Sequence, residues 1–210
     1  VPLLSRHSAE VFVRCYGLFV SLVTFALSTV LWFRFDSSSA KFQFVETLQW
    51  IPSSNFSVTF GVDGISLFFV LLTTLLVPIC LLASWEVPGS GRKVKEYFAA
   101  FLIIEGFILI VFTVLDLLVF YVFFESVLIP MFLIIGIWGS RERKVRAAYF
   151  FFLYTLLGSV LMLLALLLIY FEAGTTDYQL LVQNPLAPSS QYLLWLAFFA
   201  SFAVKVPVIP

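Results

Sequence analysis

Three ionisable residues, Glu105, Glu125 and Lys205, lie inside long apolar stretches of the sequence. A charged side chain at the centre of a membrane-spanning helix costs about 2.5–3.5 kcal/mol on insertion scales. Such a residue persists where it faces the interior of a helix bundle or a water-filled cavity, because there it can pair with another ion or carry a proton. These three side chains are therefore the first candidates for chemistry.

Glu125 occupies the middle of its apolar stretch, eight residues after Leu117 and thirteen before Trp138. At about 1.5 Å per helical residue, it lies roughly 12 Å from one end and close to mid-membrane. Burial favours the neutral carboxylic acid, whereas a nearby cation favours the carboxylate. A group balanced between these effects can relay a proton. The alternative is a protonated glutamic acid that only joins two helices by a hydrogen bond.

Lys205 lies thirteen residues into the last apolar stretch, which begins at Tyr192. That is roughly 20 Å from the entry end, too deep for the side chain to reach water easily. Pro207 and Pro210 follow and remove helical hydrogen bonds, so we expect the last helix to be broken there. Broken helices at the midplane often line transport cavities. Lys205 is thus a candidate proton acceptor, or alternatively a fixed counter-ion for Glu125 or another acid.

Glu105, Thr155 and Ser159 are possible accessory residues. Glu105 lies mid-stretch beside Gly106 with no cation placed for it, so structural and functional interpretations are equally open. Thr155 and Ser159 are four residues apart and share one face of a helix. Their hydroxyls could bind water between ionisable groups, although small and hydroxyl side chains beside a glycine more often pack helices together.

The composition indicates an integral membrane protein. Of the 210 residues, 62% are hydrophobic and 11% are charged, and the mean hydropathy is +1.08. A soluble domain is about 45–50% apolar and about 25% charged, because it needs a polar coat. The net charge is zero, so we expect no nucleic-acid partner. Cys15 and Cys80 lie far apart, so we expect neither a metal site nor a redox centre in this chain.

The apolar stretches predict an all-α fold with about six transmembrane helices in a single domain, residues 1–210. Each stretch is apolar all round for about 20 residues, which spans a bilayer as a helix and lacks the alternation of barrel strands. Residues 97–138 are too long for one span, and Asp116 divides them. The polar stretch 37–57 carries no predicted element. The spans are expected at about 12–33, 65–85, 97–115, 117–138, 147–171 and 192–210.

The distribution of Lys and Arg predicts the orientation. With six spans, the N-terminal end and the loops 86–96 and 139–146 lie on one side and carry nine basic residues, whereas the opposite side carries Arg34 and Lys41. Basic loops face the cytoplasm or the mitochondrial matrix. This bias also supports the division at Asp116, because five spans would place the basic loops on opposite sides.

Four blocks of the sequence form a recognisable pattern, namely 61–67 (GVDGISL), 120–131 (FYVFFESVLIPM), 151–160 (FFLYTLLGSV) and 202–210 (FAVKVPVIP). In their order and spacing these blocks resemble subunit 4 of respiratory NADH dehydrogenase (complex I), an antiporter-like family. The resemblance covers nearly the whole chain. Two further segments, 41–48 (KFQFVETL) and 173–177 (AGTTD), look similar to the plant-type mitochondrial subunit.

The resemblance implies a proton-translocating subunit in the membrane arm of NADH:ubiquinone oxidoreductase, in the mitochondrial inner membrane. It implies that Glu125 and Lys205 are the family's paired ionisable residues. It also implies other membrane-arm subunits and lipids as partners, no cofactor in this chain, and NADH, FMN, iron–sulfur clusters and ubiquinone elsewhere in the complex. The six spans would be part of a fold of about fourteen helices.

Two departures from the family pattern bear on function. Residues 1–11 do not look like the family's first helix, and the C-terminal half is missing, so we expect a fragment or one piece of a split subunit. Two alternative functions stay open. One is a sodium–proton antiporter subunit, which uses the same charge pair without a redox partner. The other is a non-pumping structural scaffold in a truncated form or an assembly intermediate.

Overall fold

The computed structural model describes residues 2–39, 41–51, 56–87, 92–140, 142–206 and 208. Within them the chain is mostly helical and has one two-stranded sheet. The elements in chain order are α1 (Pro2–Arg34), β1 (Gln43–Ile51), β2 (Phe56–Val62), α2 (Gly64–Ala83), α3 (Arg92–Thr113), α4 (Leu117–Ser126), α5 (Leu128–Trp138), α6 (Lys144–Ala173), α7 (Tyr178–Gln183) and α8 (Pro188–Lys205).

Five segments of the described chain are long and apolar enough to cross a membrane. The expected helical membrane fold is confirmed. Helix α8, which corresponds to the sixth predicted span, is not among the five segments, because it has only 18 residues and its first turn carries Ser189, Ser190 and Gln191. The helix α8 ends at Lys205, whereas Pro207 and Pro210, where the break was predicted, lie outside the described residues. The five segments are Glu10–Arg34, Gly64–Ala83, Lys93–Thr113, Leu117–Trp138 and Lys144–Ala173.

The prediction missed a β-hairpin. Strands β1 and β2 pair antiparallel, with Gln43 opposite Val62 and Thr47 opposite Thr59, within and beside the stretch predicted to carry no element. Its physical basis is visible in the alternation of apolar and polar or small residues along β2, from Phe56 to Val62, which is the pattern of a half-buried strand, and Val58 and Val62 are buried. The first strand does not alternate and carries several polar residues, so the stretch was predicted to have no element.

Helix α2 begins at a reciprocal cap between Asp63 and Ser66. The Asp63 carboxylate accepts from the Ser66 N–H at 2.7 Å, and the Ser66 hydroxyl accepts from the Asp63 N–H at 2.9 Å. Two of the four backbone donors that need partners at this helix start are thereby satisfied. The hairpin thus passes directly into α2 without a loose connection.

A clasp around Asp116 ties three segments together at the hairpin end of the molecule. Its carboxylate accepts from the Leu118 and Val119 N–H groups at 2.9 Å and from the Thr176 hydroxyl at 2.6 Å. The Leu115 N–H bonds the Thr59 carbonyl of β2 at 2.8 Å. The residue predicted to divide the long apolar stretch therefore both starts α4 and holds it to the hairpin and to the α6–α7 connection.

The basic loops lie at the end opposite the hairpin, because α1 and α2 run antiparallel and each later span reverses direction. Lys93, Lys95, Arg143 and Arg146 are placed there. Residues 88–91 and 141 of the predicted basic loops lie outside the described chain.

The clasp generates a stability prediction. Asp116→Ala removes the cap of α4 and leaves the buried Thr176 hydroxyl without its acceptor, so we expect a loss of about 1–3 kcal/mol in the free energy of unfolding. Thermal unfolding in lipid nanodiscs measures this loss. Glu46→Gln, a change at an exposed hairpin residue, should leave the melting temperature unchanged. Equal melting temperatures for both variants would contradict the role of the clasp.

Candidate functional site

Glu125 and Lys205 face one another inside the helix bundle. Glu125 lies on α4 and Lys205 is the last residue of α8, and Lys205 Nζ stands 3.7 Å from Glu125 Oε1. The Glu125 side chain is 16% exposed and the Lys205 side chain is 22% exposed. A charge-assisted hydrogen bond is about 2.7–2.9 Å long. The two groups therefore attract across a short gap without sharing a hydrogen bond.

Lys205 has two further partners, both supplied by Phe124. Its ammonium donates to the Phe124 carbonyl and lies 3.2 Å from the centroid of the Phe124 ring. The edge of the Phe202 ring meets that ring with 5.7 Å between centroids. A carbonyl dipole and an aromatic face both stabilise a cation that has lost its water. The site thus accommodates a charged lysine without depending on Glu125 alone.

The helix that carries Glu125 is interrupted just beyond it. Helix α4 ends at Ser126 and α5 begins at Leu128, with Pro130 in the first turn of α5. A proline has no N–H and crowds the preceding turn, which breaks or kinks a helix. Pro130 therefore leaves the Ser126 carbonyl without its helical donor, and the helical hydrogen-bond pattern is interrupted at Val127, which keeps right-handed helical angles (φ −58°, ψ −28°). The Phe124 carbonyl that accepts from Lys205 lies in the turn before this interruption. This interruption was not predicted from the sequence.

Close packing of α6 against α8 brings the lysine into place. A Cβ built on Gly158 would lie 2.8 Å from Val204 Cβ, so only glycine permits this approach. The neighbouring Ser159 is 2% exposed, and its hydroxyl is near enough to interact with the Glu125 carboxyl and the Tyr121 hydroxyl. Its proton is directed at the Leu156 carbonyl, 2.9 Å away.

The structure separates the accessory candidates. Ser159 lies beside Glu125, whereas the Thr155 hydroxyl, on the same face one turn earlier, donates within its own helix to the Phe151 carbonyl at 2.7 Å. The hydrogen bonds described for Thr155 thus do not connect it to the charge pair. Two residues that the sequence analysis missed, Tyr121 and Ser201, lie near the pair. The signal for Ser201 was present in the sequence, because it precedes Lys205 by four residues.

Glu105 lies elsewhere in the bundle. It is 3% exposed on α3, and its Oε1 has no hydrogen-bond partner in the part of the chain that the structure describes. It follows Phe98 by two helical turns, and Phe98 packs against Gly17 of α1. Phe98 also clusters with Val77 and Leu81 of α2. Glu105 therefore lies on the face of α3 that packs against α1 and α2, and the described contacts do not join it to Glu125 or Lys205.

The sequence matches two family descriptions that divide it near the clasp. Residues 9–115 match "NADH-ubiquinone oxidoreductase chain 4, amino terminus". The chain belongs to the NADH-ubiquinone oxidoreductase chain 4 family. Residues 114–210 of this family member, which include Glu125 and Lys205, match "NADH:quinone oxidoreductase/Mrp antiporter, TM".

Curated relatives of this chain 4 family member are similar along nearly all of it. It is 62% identical over 198 residues to NADH-ubiquinone oxidoreductase chain 4 of Arabidopsis thaliana, covering 94% of this chain and 40% of that one. Identity is 56% over 210 residues with the Chondrus crispus protein, covering 100% of this chain and 42% of that one. This chain thus spans about two fifths of the length of the relatives it matches.

Two solved structures are similar in fold. Respiratory complex I from Thermus thermophilus with bound NADH contains a chain with a TM-score of 0.80 and 32% identity, covering 92% of this chain and 40% of that one. The Mrp complex from Dietzia sp. DQ12-45-1b contains one with a TM-score of 0.80 and 18% identity, covering 97% of this chain and 22% of that one. The second likeness concerns the fold alone.

The contact between α6 and α8 generates a paired prediction. Gly158→Ala places a Cβ against Val204 and should destabilise the protein by about 1–3 kcal/mol through overpacking. Gly106→Ala should stabilise it by about 0.5–1 kcal/mol, because a Cβ there meets nothing within 4 Å and alanine is the better helix former. Thermal unfolding of both variants tests the difference in sign. A stabilising Gly158→Ala would show that the helices are not in tight contact.

Proposed function

We propose that this chain is the proton-translocating part of a membrane-arm subunit of NADH:ubiquinone oxidoreductase (respiratory complex I). The observation that carries the proposal is the Glu125–Lys205 pair, buried at bilayer depth in a chain of this family. A buried acid and a buried base 3.7 Å apart can each control whether the other holds a proton. The pair is thus equipped for proton transfer.

The proposed mechanism is electrostatic. At an effective dielectric constant of about 20, two unit charges about 4 Å apart attract by about 4 kcal/mol. A free-energy change of about 1.4 kcal/mol alters a proton-binding equilibrium constant tenfold. The attraction can therefore change the proton affinity of Lys205 by nearly a thousandfold. When Glu125 is close, the charged form of Lys205 is stabilised. When a charge change elsewhere in the complex draws Glu125 away, the neutral lysine is favoured and a proton is released.

The redox chemistry would belong to other subunits. Under this proposal, NADH, FMN, iron–sulfur clusters and ubiquinone act elsewhere in the complex, and the partners of this chain are other membrane-arm subunits and lipids. The protein would lie in the mitochondrial inner membrane as one multi-pass domain. Its N-terminal end and the loops 86–96 and 139–146 would face the matrix, in agreement with their basic residues.

A sodium–proton antiporter subunit and a structural scaffold are the competing functions. The chain 4 relatives favour complex I over the antiporter, since the Mrp likeness rests on the fold. Copurification with flavin and iron–sulfur subunits would separate complex I from an antiporter. A loss of proton pumping in Glu125→Gln or Lys205→Ala would indicate a pump, whereas a structural scaffold should tolerate both changes.

Removing either charge of the pair should stop pumping. In the intact complex, we expect Glu125→Gln and Lys205→Ala to abolish proton translocation, because each leaves the other group without its controlling charge. Proton uptake per NADH oxidised, in sealed inner-membrane vesicles, is the measurement. Glu142→Gln and Lys93→Gln remove charges from exposed residues and should pump normally. A normal pumping stoichiometry in either variant of the pair would refute the proposal.

Glu105 is proposed as an accessory group that holds a proton outside the main route. Because it faces α1 and α2, away from the pair, Glu105→Gln should keep most of the pumping, whereas Glu105→Lys should prevent assembly by placing a cation there. Pumping assays and native electrophoresis of the complex test both expectations. Complete loss of pumping in an assembled Glu105→Gln complex would instead place Glu105 on the route.

A further inference from the structure

Two buried oxygen atoms beside the charge pair lack partners. In the chain as described, neither Ser201 Oγ nor Glu125 Oε2 has a hydrogen bond. Ser201 is 2% exposed. A buried polar group that makes no hydrogen bond is destabilising, and in native proteins such groups are commonly satisfied by an ordered water.

Ser201 lies on the face of α8 that carries Lys205. It precedes Lys205 by one helical turn, and helical side chains lean toward the N-terminus, so the lysine extends over the turn that contains Ser201. Leu194, two turns before Ser201 on the same stripe, packs in a cluster that Tyr121 of α4 also contacts. Ser201 also precedes Val204, which packs against Gly158 of α6, by three residues. Ser201 therefore lies on the surface of α8 that carries Lys205 and approaches α6.

Ser159 approaches the same region from α6. Its hydroxyl lies near both Glu125 and Tyr121. Because its proton is directed at the Leu156 carbonyl, its lone pairs remain available as acceptors. Three helices thus carry hydroxyl residues close to the charge pair, namely Tyr121 on α4, Ser159 on α6 and Ser201 on α8.

The geometry points to a water-binding site formed by Ser159, Ser201 and Glu125 Oε2. The water accepts from the Ser201 hydroxyl and donates to Glu125 Oε2 and to Ser159 Oγ, which gives it the three hydrogen bonds typical of a buried water. Tyr121 precedes Glu125 by one turn of α4, on the side of the hairpin end, and adds a third hydroxyl residue beside the site. This inference rests on the proposed function and adds residues to the same site.

The water gives Ser201 and Ser159 a positioning role. The Lys205 ammonium faces Oε1 of Glu125, so a water on Oε2 lets the carboxylate keep a donor on its other oxygen when the lysine is neutral. The water could also carry a proton between Glu125 and the hydroxyl groups of Ser159 and Ser201. The carboxylate can then leave Lys205 without losing all of its donors.

Ser201→Ala in the intact complex tests the site. We expect proton pumping to slow about tenfold, the cost of losing one hydrogen bond in a network that satisfies a charged group. NADH oxidation by a water-soluble electron acceptor, which bypasses the membrane arm, should stay unchanged. Ser201→Thr keeps the hydroxyl and should restore pumping. Ser159→Ala/Ser201→Ala should pump no more slowly than Ser201→Ala, since both residues hold one water.

The control is Ser21→Ala. Ser21 is fully buried on α1, and its hydroxyl donates to the Leu18 carbonyl of its own helix at 2.9 Å. This variant should pump normally. Normal pumping by Ser201→Ala, or equal slowing by Ser201→Ala and Ser201→Thr, would overturn the site.

A high-resolution experimental map of the wild-type complex gives a second test that needs no variant. Density for a water within hydrogen-bond distance of Ser201 Oγ and Glu125 Oε2 is expected, and a dry gap there would overturn the proposal even if Ser201→Ala fails to assemble. The proposed function and the water site can be refuted separately. Normal pumping in Glu125→Gln refutes the proposed function, whereas normal pumping in Ser201→Ala, with Glu125→Gln inactive, refutes only the water site.

Discussion

The attraction between an ammonium and a carboxylate, in surroundings with little water, is the interaction on which the rest of the site depends. Neither charge is stable at this depth without a partner, because the surrounding hydrocarbon cannot solvate it. The neighbouring residues supply this support. Gly158 lets α8 approach α6, and Phe124 offers its carbonyl and its ring to the lysine. Stability and chemistry therefore draw on the same few residues.

The sequence predicts the membrane helices and the charged candidates because lipid makes both signals strong. An apolar run of about 20 residues is rare outside membrane-spanning helices, and a charge within such a run is conspicuous. Asp63 and Asp116 were predictable from short-range rules, since a carboxylate before an apolar run caps a helix. The nearness of Glu125 to Lys205 was not, because the two residues are 80 positions apart and only the packing of α4, α6 and α8 brings them together.

The hairpin and the break at Val127 were missed for different reasons. In the hairpin, only β2 alternates apolar with polar or small residues, whereas β1 does not, so the two strands together gave no clear strand signal. At Val127, the cause is a single proline three residues later, and a proline in a membrane helix is compatible with either a kink or an uninterrupted helix. Tyr121 and Ser201 were missed because isolated hydroxyl residues in apolar stretches are common and usually only pack helices.

The clasp at Asp116 and the break at Val127 lie on either side of Glu125. The upper end of α4 is anchored to β2 and to the α6–α7 connection, whereas the lower end continues into α5 through a turn in which Pro130 cannot donate a helical hydrogen bond. A helix that is anchored at one end and interrupted at the other cannot move along its axis. It can only pivot about its anchor, so the Glu125 carboxyl group would move sideways along a short arc. A force applied near Val127 would therefore change the distance between Glu125 and Lys205 by tilting α4.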